Sequence, residues 1–173
     1  MNRLFNPVIA FVVFTHPTWA ACSDGEDTFM SCQIKNSDRV LRVCFTKDTA
    51  HYRFGALGQP PELSLSEPIA SLDYIPWSGV GRSIAEGVIF QNEGYRYVVA
   101  AGFERMFGDE EYEDISHRGF GGVRVLLNDD TVTALDCARE TVDFAWGEGL
   151  FDLKRNLGFT WNDRTREWIE LPD

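Results

Sequence analysis

With 173 residues, 44% of them hydrophobic and 25% charged, the chain is long enough to bury a sizeable core and too mixed in composition to be disordered or fibrous. Its net charge of −11 disfavours nucleic acid and anionic lipid as partners, since like charges repel, and favours a basic partner. Four cysteines with no C-x-x-C pair argue against a zinc site and for disulfides.

The first twenty residues, MNRLFNPVIAFVVFTHPTWA, combine a basic start at Arg3, an apolar run from Val8 to Phe14 and a helix-breaking Pro17 before small residues. That pattern predicts a secretory signal peptide over residues 1–20. The apolar run is far shorter than the roughly 18 residues that span a bilayer, so no membrane span is expected. Thr18 and Ala20 occupy the small positions read by a signal peptidase. Cys22 raises the alternative of lipid attachment, but Trp19 stands where such sites usually carry Leu. Removing the leader leaves 15 basic against 27 acidic residues in 21–173, read as a single β-rich domain in which residues 138–173 form a C-terminal extension packed on the rest. The expected location is the periplasm or the exterior.

The stretch 30–45, MSCQIKNSDRVLRVCF, reads as a hairpin. A two-residue turn at Ser37-Asp38 sets Met30 against Phe45, Cys32 against Val43 and Ile34 against Leu41, leaving one face apolar. A one-residue slip would face Cys32 to Cys44 but scatter that apolar set. Spacing alone leaves all three pairings of Cys22, Cys32, Cys44 and Cys137 open. The apolar register points Cys32 inward and Cys44 outward, which favours Cys22 with Cys44 and Cys32 with Cys137.

Alternating runs follow at 51–54 and 62–66, separated by the loop GALGQPP. Residues 73–83, DYIPWSGVGRS, read as a long loop. A hairpin joins 87–90 to 95–100, with Gly94 at a position that needs positive φ. Residues 107–122, FGDEEYEDISHRGFGG, interrupt the pattern with five carboxylates, and Gly119, Gly121 and Gly122 are read as turning the chain into the next strand. Another hairpin, 123–127 with 131–135, ends at Cys137. Leu150, Leu153 and Leu157 have helical spacing, with Gly158 as cap and Lys154 and Arg155 suited to a helix C-terminus. Residues 159–161 and 167–171 flank a final hairpin. The fold expected is mainly β, a small antiparallel barrel or sandwich of about six to eight strands with a short C-terminal helix.

The residues Cys22, Phe29-Met-Ser-Cys32 and Val40-Leu-Arg-Val-Cys44, followed by Tyr52-Arg-Phe-Gly55 and Pro61-Glu-Leu63, resemble a family of small exported bacterial proteins with four cysteines. The resemblance extends to Cys137. It implies export, disulfides and a β-rich domain, and no catalytic residue.

Two functions fit. The first is a non-catalytic exported binding protein, inhibitor-like towards a basic hydrolase, with Trp77, Ser78, Gly79 and Arg82 of a glycine-flanked loop as its contact residues. Inhibitors of lysozyme use a Ser-Gly-x-x-Tyr loop; Ser78-Gly79 matches its start, but no tyrosine follows where one is needed. The second is a hydrolase using His117 in the acidic loop 107–122. A hydrolytic triad collects its members from distant segments, and no G-x-S-x-G elbow is present. Asp109, Glu110, Glu111, Glu113 and Asp114 lack the spacing of a calcium loop, and the glycines after Arg118 lack the lysine of a phosphate loop. Neither metal nor cofactor is expected. The mature N-terminus is expected at Ala21, and the intact mass of the exported protein checks it. A full-chain mass, or an acylated Cys22, would refute the assignment.

Overall fold

The computed structural model describes residues 22–106, 116–147 and 149–172. Residues 1–20, where a signal peptide is expected, and the carboxylate run 109–114 lie outside them. Two five-stranded antiparallel sheets form the body. The first has the order β10-β1-β2-β3-β4, from Asp27–Gln33 (β1), Arg39–Phe45 (β2), Thr49–Ala56 (β3), Leu63–Pro68 (β4) and Asp143–Phe144 (β10). The second runs β5-β6-β7-β8-β9, from Asp73–Ile75 (β5), Ser83–Asn92 (β6), Tyr95–Met106 (β7), Ser116–Leu127 (β8) and Asp130–Asp136 (β9). Helix α1 (Leu150–Asn156) and a hairpin of β11 (Phe159–Asn162) and β12 (Glu167–Glu170) complete the chain. Neither sheet closes on itself, so the architecture is a sandwich rather than a barrel.

The core forms where the alternating inward positions of the two sheets meet. Met30, Leu41, Val43 and Tyr52 from the first face Val88, Phe90, Val99 and Ala101 from the second. Tyr52 packs on Phe90 with ring centroids 5.7 Å apart. The sheets join at one corner, where Ile34 and Cys137 form a β-bridge and Cys32 is disulfide-bonded to Cys137. Gly121 lies beneath that corner. A Cβ there would come within 2.9 Å of Met30 Cε and 3.4 Å of Cys137 Sγ, so only glycine lets the layers approach. The other disulfide, Cys22–Cys44, holds the N-terminal segment against the opposite face of the first sheet. All four cysteines are thus paired as the outward and inward directions of Cys44 and Cys32 require.

Several local readings are corrected. The first hairpin pairs Met30 with Val43 and Cys32 with Leu41, two residues from the expected register. Its turn has four residues rather than two, with Asn36 at φ 58 and Gln33 Nε2 donating to the Ser37 carbonyl at 2.7 Å. An even slip keeps every side chain on its face, so the apolar set survives. A bulge at Phe29 then places both Phe29 and Met30 in the core. Residues 73–75 are strand, not loop. Residues 116–122 are also strand, and the glycines read as a turn serve close packing within β8. The loops after β6 and β8 are two-residue turns, Glu93-Gly94 and Asn128-Asp129, all with positive φ, which suits the strand twist.

Lys154 does not cap the helix C-terminus in solvent as expected. It is buried, and its Nζ donates to the carbonyls of Ile69, Ala70 and Leu72 at 3.2, 3.2 and 2.7 Å. The rings of Phe159 and Trp168 lie 5.1 and 5.3 Å from the same nitrogen. Trp168 Nε1 in turn donates to the Tyr74 carbonyl at 2.6 Å, capping the outer edge of β5. The remaining sheet edges are short or irregular. β10 has two residues, β4 ends in Pro68, and β9 carries a bulge, with Asp136 accepting from the Lys35 backbone.

Burial draws the Lys154 pKa down to about 8, against the pull of the Asp73 carboxylate. The fold therefore sheds this proton before the unfolded chain does, and this group's contribution to stability rises as pH goes from about 8 towards the ordinary lysine value. Lys154→Met should remove that rise. It should also strand three carbonyls and cost about 2 kcal/mol or more at neutral pH. Urea unfolding of both proteins across this pH range checks it.

Candidate functional site

The loop 77–82 leaves the sandwich where β5 ends. Pro76 is buried, Trp77 half-buried, and Ser78, Gly79, Val80, Gly81 and Arg82 are exposed. Gly79 and Gly81 sit at φ 81 and 105, conformations that favour glycine and let the chain reverse. Its base is fixed from below. The Glu86 carboxyl accepts from the Tyr74 hydroxyl and the Trp77 backbone N–H, although burial still raises its pKa. Arg105 Nη2 donates to the Gly81 carbonyl at 2.9 Å, and the Arg105 N–H donates to the Arg82 carbonyl at 3.2 Å.

Trp77 is therefore the root of the loop and Val80, 74% exposed, is its tip. The Trp77 ring meets Trp146 edge-on at 6.0 Å, Trp146 meets Phe103 at 6.0 Å, and Phe103 meets His117 at 4.8 Å. Trp146 is 44% exposed. The structure thus brings His117 and the expected contact loop to one end of the second sheet, linked by two aromatic rings that sequence reasoning missed. Trp146 follows Phe144 at strand spacing, a signal hidden by reading the chain after Cys137 as an extension. Phe103 belongs to a strand read as ending before it. Beside the loop, Trp77, Val80, Ala85 and Val98 are among the residues lining a groove of about 340 Å³.

His117 lies on β8, opposite Arg105, and not on a loop. Strand alternation turns its neighbour Ser116 to the other face of the sheet. His117 lines none of the three grooves described.

The other histidine sits in a constellation the sequence did not disclose. His51 Nδ1 is 2.9 Å from Ser66 Oγ, and its Nε2 is 3.7 Å from Glu26 Oε1. These are the residue types of a Ser-His-Glu relay, but the carboxylate lies beyond hydrogen-bond range of the ring. It is held instead by both nitrogens of Arg53, at 2.7 and 2.6 Å. Ser66 lies exposed on the open face of an edge strand. The group acts as a clamp that pins the N-terminal segment beside the Cys22–Cys44 disulfide. Cys22, Glu26 and Cys44 cluster closely enough to hold a metal, yet the two sulfurs are bonded to each other and offer no thiolate.

The Arg53 guanidinium holds the Glu26 carboxyl down at about 2, against the opposing effect of burial. Its folded pKa is depressed, so the stabilisation is present above the ordinary glutamate value and is lost as pH falls towards about 2. Glu26→Gln should melt earlier than wild type at neutral pH, by about 2 kcal/mol of stability, and the two should converge near the acid end of the range. Thermal melts between neutral and strongly acidic pH check this.

No protein-family profile matches the chain, and no curated protein or solved structure matches it.

Proposed function

We propose that the chain is an exported, non-catalytic binding protein that takes a basic protein partner at the aromatic end of the second sheet. The observation that carries this reading is the patch made by Trp146 and the loop 77–82. A half-exposed tryptophan packed edge-on against Trp77 stands beside an exposed, glycine-flanked tip at Val80. Tryptophan anchors on a rigid base, beside an exposed apolar tip, are the composition of an interface centre, and loops carry recognition on such scaffolds. The base is rigid because Glu86 and Arg105 hold the loop backbone.

The acidic balance of 15 against 27 residues supports a basic partner and fast, salt-sensitive association. A basic secreted hydrolase such as lysozyme, held in an inhibitor-like manner, is the partner class we propose. The leader pattern and the resemblance to four-cysteine exported proteins support delivery to the periplasm or the exterior. The two disulfides, typical of oxidising compartments, agree with that.

The test titrates lysozyme, and any basic protein captured from a periplasmic extract, against wild type and two variants. Val80→Lys and Trp146→Ala should each weaken binding, the former by repelling a basic partner and the latter by about thirtyfold, with melting unchanged for Val80→Lys because its side chain is exposed. Variants that retain the partner as tightly as wild type would refute the surface. A hydrolytic activity abolished by His117→Ala with unchanged melting would replace binding by catalysis.

A further inference from the structure

A second groove, which shares Val98 and Ala100 with the groove beside the loop 77–82, lies on the outer face of the same sheet. Along β7, Val99 and Ala101 are buried in the core, so Val98 and Ala100 point outward. The outward side of an exposed sheet is normally polar. Here Val98, Ala100 and Phe120 form the floor of a groove of about 720 Å³. The Phe120 ring lies over its cross-strand partner Gly102, where a Cβ would come within 2.8 Å of Cζ, so the ring is held flat against the sheet.

Lys35, Arg124 and Arg139 stand around this floor together with Asp136 and Glu140. Among the described residues, Arg39, Arg53, Arg96 and Arg118 each pair with a carboxylate. Among the described residues the three cations of the groove form no such pair, although Asp136 and Glu140 stand on the same rim. An acidic protein thus keeps three uncommitted cations around an apolar floor. The groove is concave, so it cannot meet its own copy across a two-fold axis without leaving a void. Its volume is that of a small-molecule site.

We propose that this groove binds an anionic amphiphile, with its apolar body on Val98, Ala100 and Phe120 and its carboxylate or phosphate head held by Lys35, Arg124 and Arg139. The class follows from the two halves of the site. The floor offers no hydrogen-bond donor to a polar body, and the rim offers charge-assisted donors to an oxyanion.

The test titrates the mature protein with decanoate, decyl phosphate, decyltrimethylammonium and decyl maltoside, each below its micelle concentration, by calorimetry. At least one anion should bind, and the cationic and neutral chains should bind about tenfold more weakly or worse. The double variant Arg124→Glu, Arg139→Glu should lose about tenfold in anion affinity. Ala100→Trp, which fills the floor from an exposed position, should abolish binding with unchanged melting. The tighter of decanoate and decyl phosphate identifies the head group. Equal binding of the cationic or neutral chain, an unaltered double variant, undiminished binding to Ala100→Trp, or no anion binding would each overturn the proposal.

Discussion

The geometry of the sandwich depends on the corner at Cys137. There the backbone passes from one sheet to the other without a break in its hydrogen bonding. The Cys137 N–H donates to Gly121 in the second sheet, while the Lys35 N–H donates to Asp136 and the Ala138 N–H to Gln33 in the first. The Cys32–Cys137 disulfide locks the same point across a sequence separation of 105. A layered β-protein must fix the angle between its sheets, and a shared corner does so more firmly than side-chain packing alone. The consequences run outward. Lys35 and Arg139 flank the corner, which is why both stand at the rim of the apolar groove. The opposite ends of β6, β7 and β8 carry the aromatic patch beyond this constraint.

Four charged groups, Lys154 buried and Glu26, Arg53 and Glu86 half-buried, then fasten segments that no ladder holds. The Glu26–Arg53 pair secures the N-terminal segment, Glu86 the base of the loop 77–82, and Lys154 the C-terminal helix. Each is satisfied by donors or acceptors from another segment of the chain, as a charge withdrawn from water requires. In each case the specific contact belongs to one partner geometry. Apolar contacts alone would let these peripheral segments slide.

Much of this was legible because alternation with period two is local. The strands, the inward direction of Cys32 and the final hairpin all follow from it, and the short helix follows from the equally local spacing of Leu150, Leu153 and Leu157. Turn length was less legible. Lys35-Asn-Ser-Asp38 accommodates either two or four residues at the tip, and the choice rests on Asn36 accepting a positive φ. The three glycines of β8 looked like turn residues because sequence cannot reveal that Val142 closes on Gly119, Met30 and Cys137 on Gly121, and the Leu135 backbone on Gly122. Lys154 looked like a solvated helix end for the same reason, since its three acceptors lie more than eighty residues upstream. The candidate site was half legible. The loop carried its glycines openly, but Phe103, Trp146 and His117 come together only through strand pairing across the fold.

The indole cap on β5 has an effect that reaches beyond a single molecule. An unpaired strand edge is a template on which another chain can grow, and the segment 84–90, rich in β-branched and aromatic residues, lies immediately behind β5. Trp168 occupies the Tyr74 carbonyl on that edge. The hairpin that delivers it therefore works as a gatekeeper against cross-β polymerisation, at an edge whose three-residue strand carries neither a proline nor a bulge of its own.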